Sequence, residues 1–169
     1  MARGTEPGQE ADSVTGEIVL TVGPDLVHNA IVATVQDQIP RTGWRRLQTQ
    51  RVAIPEEPNE PQPDLVVIER GTGPDRRRLM PAGAATLLVE VVSTSSVHRD
   101  YSVKCSIYAA AEVPGYLIID PVMAQCVLLT EPTGTGEDAD YRTPLEPICM
   151  ELDTSEFAAY ENVTPHRYP

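Results

Sequence analysis

Thr86-Leu-Leu-Val-Glu-Val-Val92 is the stretch that decides the fold. A short, nearly unbroken apolar run rich in valine predicts a strand covered on both faces, as in sheets that carry helices on either side. Glu90 interrupts the run. A carboxylate inside such a strand is costly without a partner, so Glu90 either meets a basic side chain or holds a cation. Downstream, Ser93-Thr-Ser-Ser96 is turn and cap chemistry, and Val103, Ile107, Ala110 and Ala111 form a helical stripe from about Arg99 to Glu112. Pro114-Gly115 stops that helix, Tyr116 to Asp120 reads as a second buried strand, and Cys126 to Thr130 as a third. A polar loop then leads to a last strand near Ile148–Leu152 and a short polar tail with Phe157 and Tyr160.

Working upstream, Leu65–Ile68 is an apolar strand delivered by Pro55-Glu-Glu-Pro-Asn-Glu-Pro-Gln-Pro63, which has four prolines in nine residues and is neither helix nor central strand. Gly71 to Ala84 reads as a long exposed loop, and Leu47 to Ile54 as one strand. Glu17 to Val22 is a strand closed by Gly23-Pro24. Asp25 is placed to cap a helix running to about Gln38, with Leu26, Ile31, Val35 and Ile39 inward and Pro40 as its stop. Residues 1–12 are expected to form a flexible tail and residues 13–169 a single domain. The order of strands and helices predicts an α/β (α+β) domain with a mixed sheet.

The 169 residues carry a net charge of -12, which argues against indiscriminate binding to nucleic acid. That charge is uneven: residues 1–40 carry -5, residues 41–104 carry +2 and residues 105–169 carry -9. A polyanion site therefore belongs to the middle third, where Arg76, Arg77 and Arg78 are the natural phosphate-binding group, with Arg41, Arg45, Arg46 and Arg51 nearby in sequence. Twelve of the thirteen basic residues are arginine, and Lys104 is the single lysine. Cys105, Cys126 and Cys149 stand alone and read as buried reduced thiols, with no zinc or disulfide spacing. His28 and His98 read as surface or cap residues. No apolar run approaches the roughly 18 residues of a membrane helix and no signal-peptide core is present, so a cytoplasmic protein is expected.

Asp64 at the mouth of one strand and Glu90 inside another are what a hard divalent cation needs, since Mg2+ takes oxygen ligands and keeps several waters. Such an ion polarises a phosphoryl oxygen and activates water, and a nearby ammonium can orient that water. Asp100, Lys104 and Tyr108 are spaced to share one helix face. Each residue also has a plainer reading. Asp64 after Pro63 is turn chemistry, Asp100 can simply cap the helix, and the Tyr108 hydroxyl needs only a partner.

Together, Pro63-Asp64, Val89-Glu90-Val-Val-Ser93, Asp100-x-x-x-Lys104-x-x-x-Tyr108 and Val113-Pro114-x-Tyr116-x-x-x-Asp120 resemble the Uma-type (Uma-two) restriction endonuclease family, a branch of the PD-(D/E)XK nuclease superfamily. The resemblance spans roughly residues 16–130. It implies a restriction-endonuclease-like central mixed sheet flanked by helices, with Mg2+ (or Mn2+) held by Asp64, Glu90 and the carbonyl of Val91. The usual lysine two positions after the glutamate is absent, Val92 standing there, and Lys104 is the replacement the resemblance implies. Glu17, His28, Asp100 and Tyr108 are carried over as site neighbours. Glu112, Thr94 and Leu117 depart from the family's common Gly, Pro and Trp.

Two functions are thus in play. The first is a metal-dependent endonuclease acting on nucleic acid, with DNA as the expected substrate, in which Lys104 orients the attacking water and is dispensable for the fold. The second is a catalytically inactive nuclease-like module that binds or assembles, favoured by the acidic charge. A homodimer is expected, because a composite groove would help so acidic a chain.

Overall fold

The buried strand read at Thr86–Val92 is the middle of the molecule. In the computed structural model, the described residues are 9–14, 17–55, 58, 60–76, 78–135, 138–142 and 152–168, with 9–14 and 17–22 described by backbone alone. The elements in chain order are β1 (Gln9–Val14), β2 (Glu17–Val22), α1 (Leu26–Gln38), β3 (Trp44–Gln48), β4 (Val52–Ala53), β5 (Leu65–Glu69), β6 (Met80–Pro81) and β7 (Leu87–Val91). There follow a π-helical turn (Arg99–Val103), α2 (Lys104–Ala110), β8 (Gly115–Asp120), β9 (Gln125–Thr130), β10 (Pro132–Thr133) and β11 (Asp140–Tyr141).

Five strands form one mixed sheet in the order β3-β5-β7-β8-β9. Only β7 and β8 run parallel, because only they are joined by a helical crossover; the other neighbours are antiparallel. Side chains alternate faces along each strand. Leu65, Val67, Leu87, Val89, Val91 and Ile119 therefore pack with Ile31, Val32 and Val35 of α1 on one face. Val66, Ile68, Leu88, Val92, Tyr116 and Ile118 pack with Ile107 and Tyr108 of α2 on the other. Every residue of β7 and β8 is buried, as their apolar runs require.

The first helix has the bounds its local chemistry sets. The Asp25 side chain accepts from the His28 backbone N–H, and the helix ends at Gln38, two residues before Pro40. Leu26 was expected inward but is 87% exposed, since the first residue of the helix lies clear of the sheet. At the end of α2, Glu112 adopts a left-handed backbone (φ 56°). A glycine is favoured in that conformation, so Glu112 carries a backbone cost there.

Several sequence expectations need correction. Leu47–Ile54 is not one strand. Thr49 turns the backbone left-handed (φ 50°), which separates β3 in the main sheet from β4, which pairs in parallel with β6. The Gly71–Ala84 loop is not wholly exposed, because Met80 and Ala82 sink into the core. Cys105 is buried but Cys126 is exposed, and Cys149 lies outside the described residues. Residues 9–12, read as tail, belong to the β1–β2 hairpin. Most of the strand expected at Ile148–Leu152 falls outside the described residues, and Leu152 itself is irregular. The end of the chain is tied down by contacts that its composition did not announce. The Tyr160 backbone N–H donates to Pro121 O, and His166 Nε2 lies 2.5 Å from the carboxylate of the fully buried Asp120. Among the described residues no helix is long and apolar enough to cross a membrane.

Candidate active site

The position of Glu90 follows from period-two alternation. It shares a face with Leu88 and Val92, so its side chain is directed at α2 rather than α1. Lys104 opens α2 and Tyr108 lies one turn on. Lys104 Nζ stands 2.8 Å from Glu90 Oε1, and the Tyr108 hydroxyl donates to the same oxygen at 2.9 Å. Asp100 comes from the π-helical turn one helical step earlier. Its Oδ1 is 3.4 Å from Lys104 Nζ, and its Oδ2 accepts from the Ser96 hydroxyl. Insertions of this π type are common where a helix positions functional groups.

Asp64 precedes β5. Leu65 pairs with Val89, so one further step along the antiparallel ladder sets Asp64 opposite Glu90. Asp64 Oδ2 accepts from the Val91 backbone N–H at 2.7 Å and lies 3.1 Å from His28 Nε2. His28 is buried, not a surface or cap residue as expected, because α1 lays it against this end of the sheet. Among the described residues, the hydrogen bonds to the two strand carboxylates all end on Asp64 Oδ2 and Glu90 Oε1.

The electrostatics follow from burial. Glu90 is 3% exposed, and desolvation holds its carboxyl well above the usual carboxylate range. Lys104 works against that shift, while Asp64 and Asp100 add to it by like-charge repulsion. Burial also raises Asp100, with Lys104 and the Ser96 hydroxyl opposing. For His28, burial pushes toward the neutral form, but the neighbouring Asp64 outweighs it and the net shift is upward.

These groups line one cleft of about 420 Å³, walled by Ser93–Ser96, Arg99, Gln62, Asp25 and Tyr160 among others. The structure therefore brings Asp64, Glu90, Val91, Lys104, Asp100 and His28 together, with Tyr108 behind Glu90. Others lie elsewhere. Arg76 and Arg78 are exposed outside this cleft, and Arg78 reaches Glu60 at 3.4 Å. Arg77 lies outside the described residues, as does the side chain of Glu17. Arg46 is spent on the carbonyls of Gln36 and Ile39 at the end of α1.

Ser96, Arg99 and Tyr160 are among the cleft residues that escaped the sequence reading. Ser96 had a signal, lying four positions before Asp100. Arg99 adjoins Asp100 but was indistinguishable from the other arginines. Tyr160, whose hydroxyl donates to Asp25 Oδ2, comes from 135 residues away and left no local trace. Among the described residues no group of three or more His, Cys, Asp or Glu side chains is arranged to hold a metal ion. Asp64 and Glu90, two carboxylates of neighbouring strands, could serve as donors to Mg2+, which retains water for its other positions.

No curated protein matches the chain by sequence. Among solved structures, it is similar to the crystal structure of "a putative nuclease belonging to DUF820" from Anabaena variabilis ATCC 29413, with a TM-score of 0.52 and 17% identity. The match covers 79% of this chain and 82% of that one, and shows a shared fold. The family pattern described as "Uma2: Putative restriction endonuclease" matches residues 1–159, and the chain belongs to that family.

Proposed function

We propose that this protein is a divalent-metal-dependent endonuclease that hydrolyses phosphodiester bonds of nucleic acid, with DNA as its substrate. One observation carries the reading. Asp64 and Glu90 face a common cleft from adjacent strands, and among the described residues each gives only one oxygen to protein partners. Asp64 Oδ1 and Glu90 Oε2, with the Val91 carbonyl, would hold Mg2+ or Mn2+. Glu90 and Asp100 share one lysine and Asp64 faces the same cleft, a set that gains from an added cation, since Asp64 and Asp100 both raise the proton affinity of Glu90. The chemistry such an ion supplies when bound is polarisation of a phosphoryl oxygen and activation of water.

The chain's own groups then have distinct tasks. Tyr108 and Lys104 clamp Glu90 Oε1, while Val91 N–H and His28 clamp Asp64 Oδ2, so both carboxylates keep a set direction without substrate. Lys104, a compact ammonium with three donors, is the group we assign to orient the attacking water. Arginine, planar and bulkier at its head, is a poor substitute in a buried position of this kind. We place the activity in the cytoplasm and propose a homodimer, whose mass by light scattering would be twice 18.4 kDa.

A second reading has its own support. The Glu90–Lys104–Asp100 and Asp64–His28 ion pairs form within the protein without a metal, as they would in an inactive module. Cleavage of supercoiled, linear and single-stranded DNA, with Mg2+, Mn2+ or EDTA, separates the two. The endonuclease cuts only with metal, and Glu90→Ala abolishes both cutting and calorimetric metal binding. Equal metal affinity in wild type and Glu90→Ala refutes the metal site, and metal-dependent cutting that survives Glu90→Ala refutes the assignment of Glu90.

A further inference from the structure

We propose that Arg99 is the phosphate anchor of the cleft, gripping a backbone phosphate of the nucleic-acid strand next to the reacting one. This inference rests on the nuclease reading and names the contact by which that site takes hold of its substrate. The starting point is charge. Asp25, Asp64, Glu90 and Asp100 all line the cleft, and such a wall repels a polyanion unless a cation faces it. Lys104 does not fill that need, because Glu90 and Asp100 hold its ammonium at 2.8 and 3.4 Å. His28 is turned toward Asp64.

Arg99 is different. It is the one arginine among the described residues lining the cleft. No ion pair to its guanidinium is found among the described residues. Its Nε is buried and has no hydrogen-bond acceptor among the described residues. Buried donors are almost always satisfied in folded proteins, and a charged one left without an acceptor is a strong sign of an absent partner. The neighbouring Asp100 feels the charge of Arg99, but its side-chain contacts among the described residues are with Ser96 and Lys104, and none is a hydrogen bond or ion pair to the guanidinium. A guanidinium offers five donors in a planar fork that matches the oxygens of a phosphate. Ser93, Thr94 and Ser95 line the same part of the cleft and bring neutral hydroxyl donors. The half-buried setting of Arg99 also separates it from Arg76 and Arg78, which are exposed on the outer loop.

The test is binding without turnover. Anisotropy of a fluorescein-labelled 14-base-pair DNA duplex, and of the matching single strand, is measured in EDTA across a salt titration. Arg99→Gln is expected to weaken duplex binding about tenfold, and to flatten the plot of log affinity against log salt by about 0.9, the value of one lost phosphate contact. Arg99→Lys keeps the slope and recovers part of the affinity, which a merely structural role would not produce. An unchanged melting temperature in Arg99→Gln confirms that the fold is intact. Wild-type affinity and slope in Arg99→Gln overturn the proposal, and so does loss of the slope in Arg76→Gln/Arg78→Gln in its place. The two readings fail separately. A wild type that binds through Arg99 but never cuts with metal refutes the nuclease and keeps the anchor. A wild type that cuts while Arg99→Gln binds normally refutes the anchor and keeps the nuclease.

Discussion

Replacing Lys104 by methionine keeps most of the side-chain volume and removes the charge, so it isolates what the ammonium does for the fold. Lys104 and Glu90 are each 3% exposed and Asp100 is 2% exposed. Taking away the only cation of this buried triad strands two carboxylates in the core, a change that costs about 3–5 kcal/mol. For a chain of this length about 1 kcal/mol moves the melting temperature by roughly 2–4 °C, so the drop is on the order of 6–20 °C. The burial and ion pairs of Lys104 argue against the expectation that it is dispensable for the fold.

The loss also has a defined pH dependence in the metal-free protein. Burial raises the folded-state proton affinity of Glu90 and Asp100. The folded state therefore holds protons that the unfolded chain has released, and stability falls as pH climbs from the unfolded carboxylate range, about 4, through the raised folded values. Without the ammonium both groups rise further, so the destabilisation is smallest in acid and largest near pH 8. Thermal melts followed by circular dichroism in EDTA at pH 5 and pH 8 measure it. Glu90→Gln/Lys104→Met should recover part of the loss, with a coupling of about 0.5–3 kcal/mol. A Lys104→Met protein that melts with wild type at pH 8, or is equally weakened at both pH values, refutes the charge argument.

Two further expectations are independent of the site. Glu112→Gly relieves the left-handed backbone at the end of α2 and should raise stability by up to about 1 kcal/mol, read as a shift in the urea midpoint; an unchanged or lower midpoint contradicts the strain assigned there. Cys126 should be alkylated by iodoacetamide well before Cys105, whose thiol is pushed up to about 12 by burial and then by Asp140, and peptide mass mapping that finds Cys105 modified first would contradict this packing.

The parts of the fold legible in the sequence are those set by near neighbours. Asp25 and Pro40 bound α1 whatever the rest of the chain does, and the continuous apolar runs of β7 and β8 announce burial on both faces. The parts that were not legible depend on distant contacts. Thr49 divides two strands through a backbone angle that no residue type demands, and Met80 is buried because β6 finds β4. Leu26 looks inward by periodicity, yet it is exposed.

For the site the division is sharper. The sequence alone singled out the residues that gather in the cleft, since a glutamate in an apolar strand and a single lysine one turn from an acid are anomalies of composition and spacing. Only the tertiary structure decided how they meet. The ladder register set Asp64 beside Glu90, and strand alternation turned Glu90 toward Lys104 instead of α1. Chain closure over 135 residues brought Tyr160 to Asp25. Arg99 stands out among the described arginines for the same kind of reason, because burial and the lack of an acceptor are properties of a place in three dimensions and leave no mark on the chain.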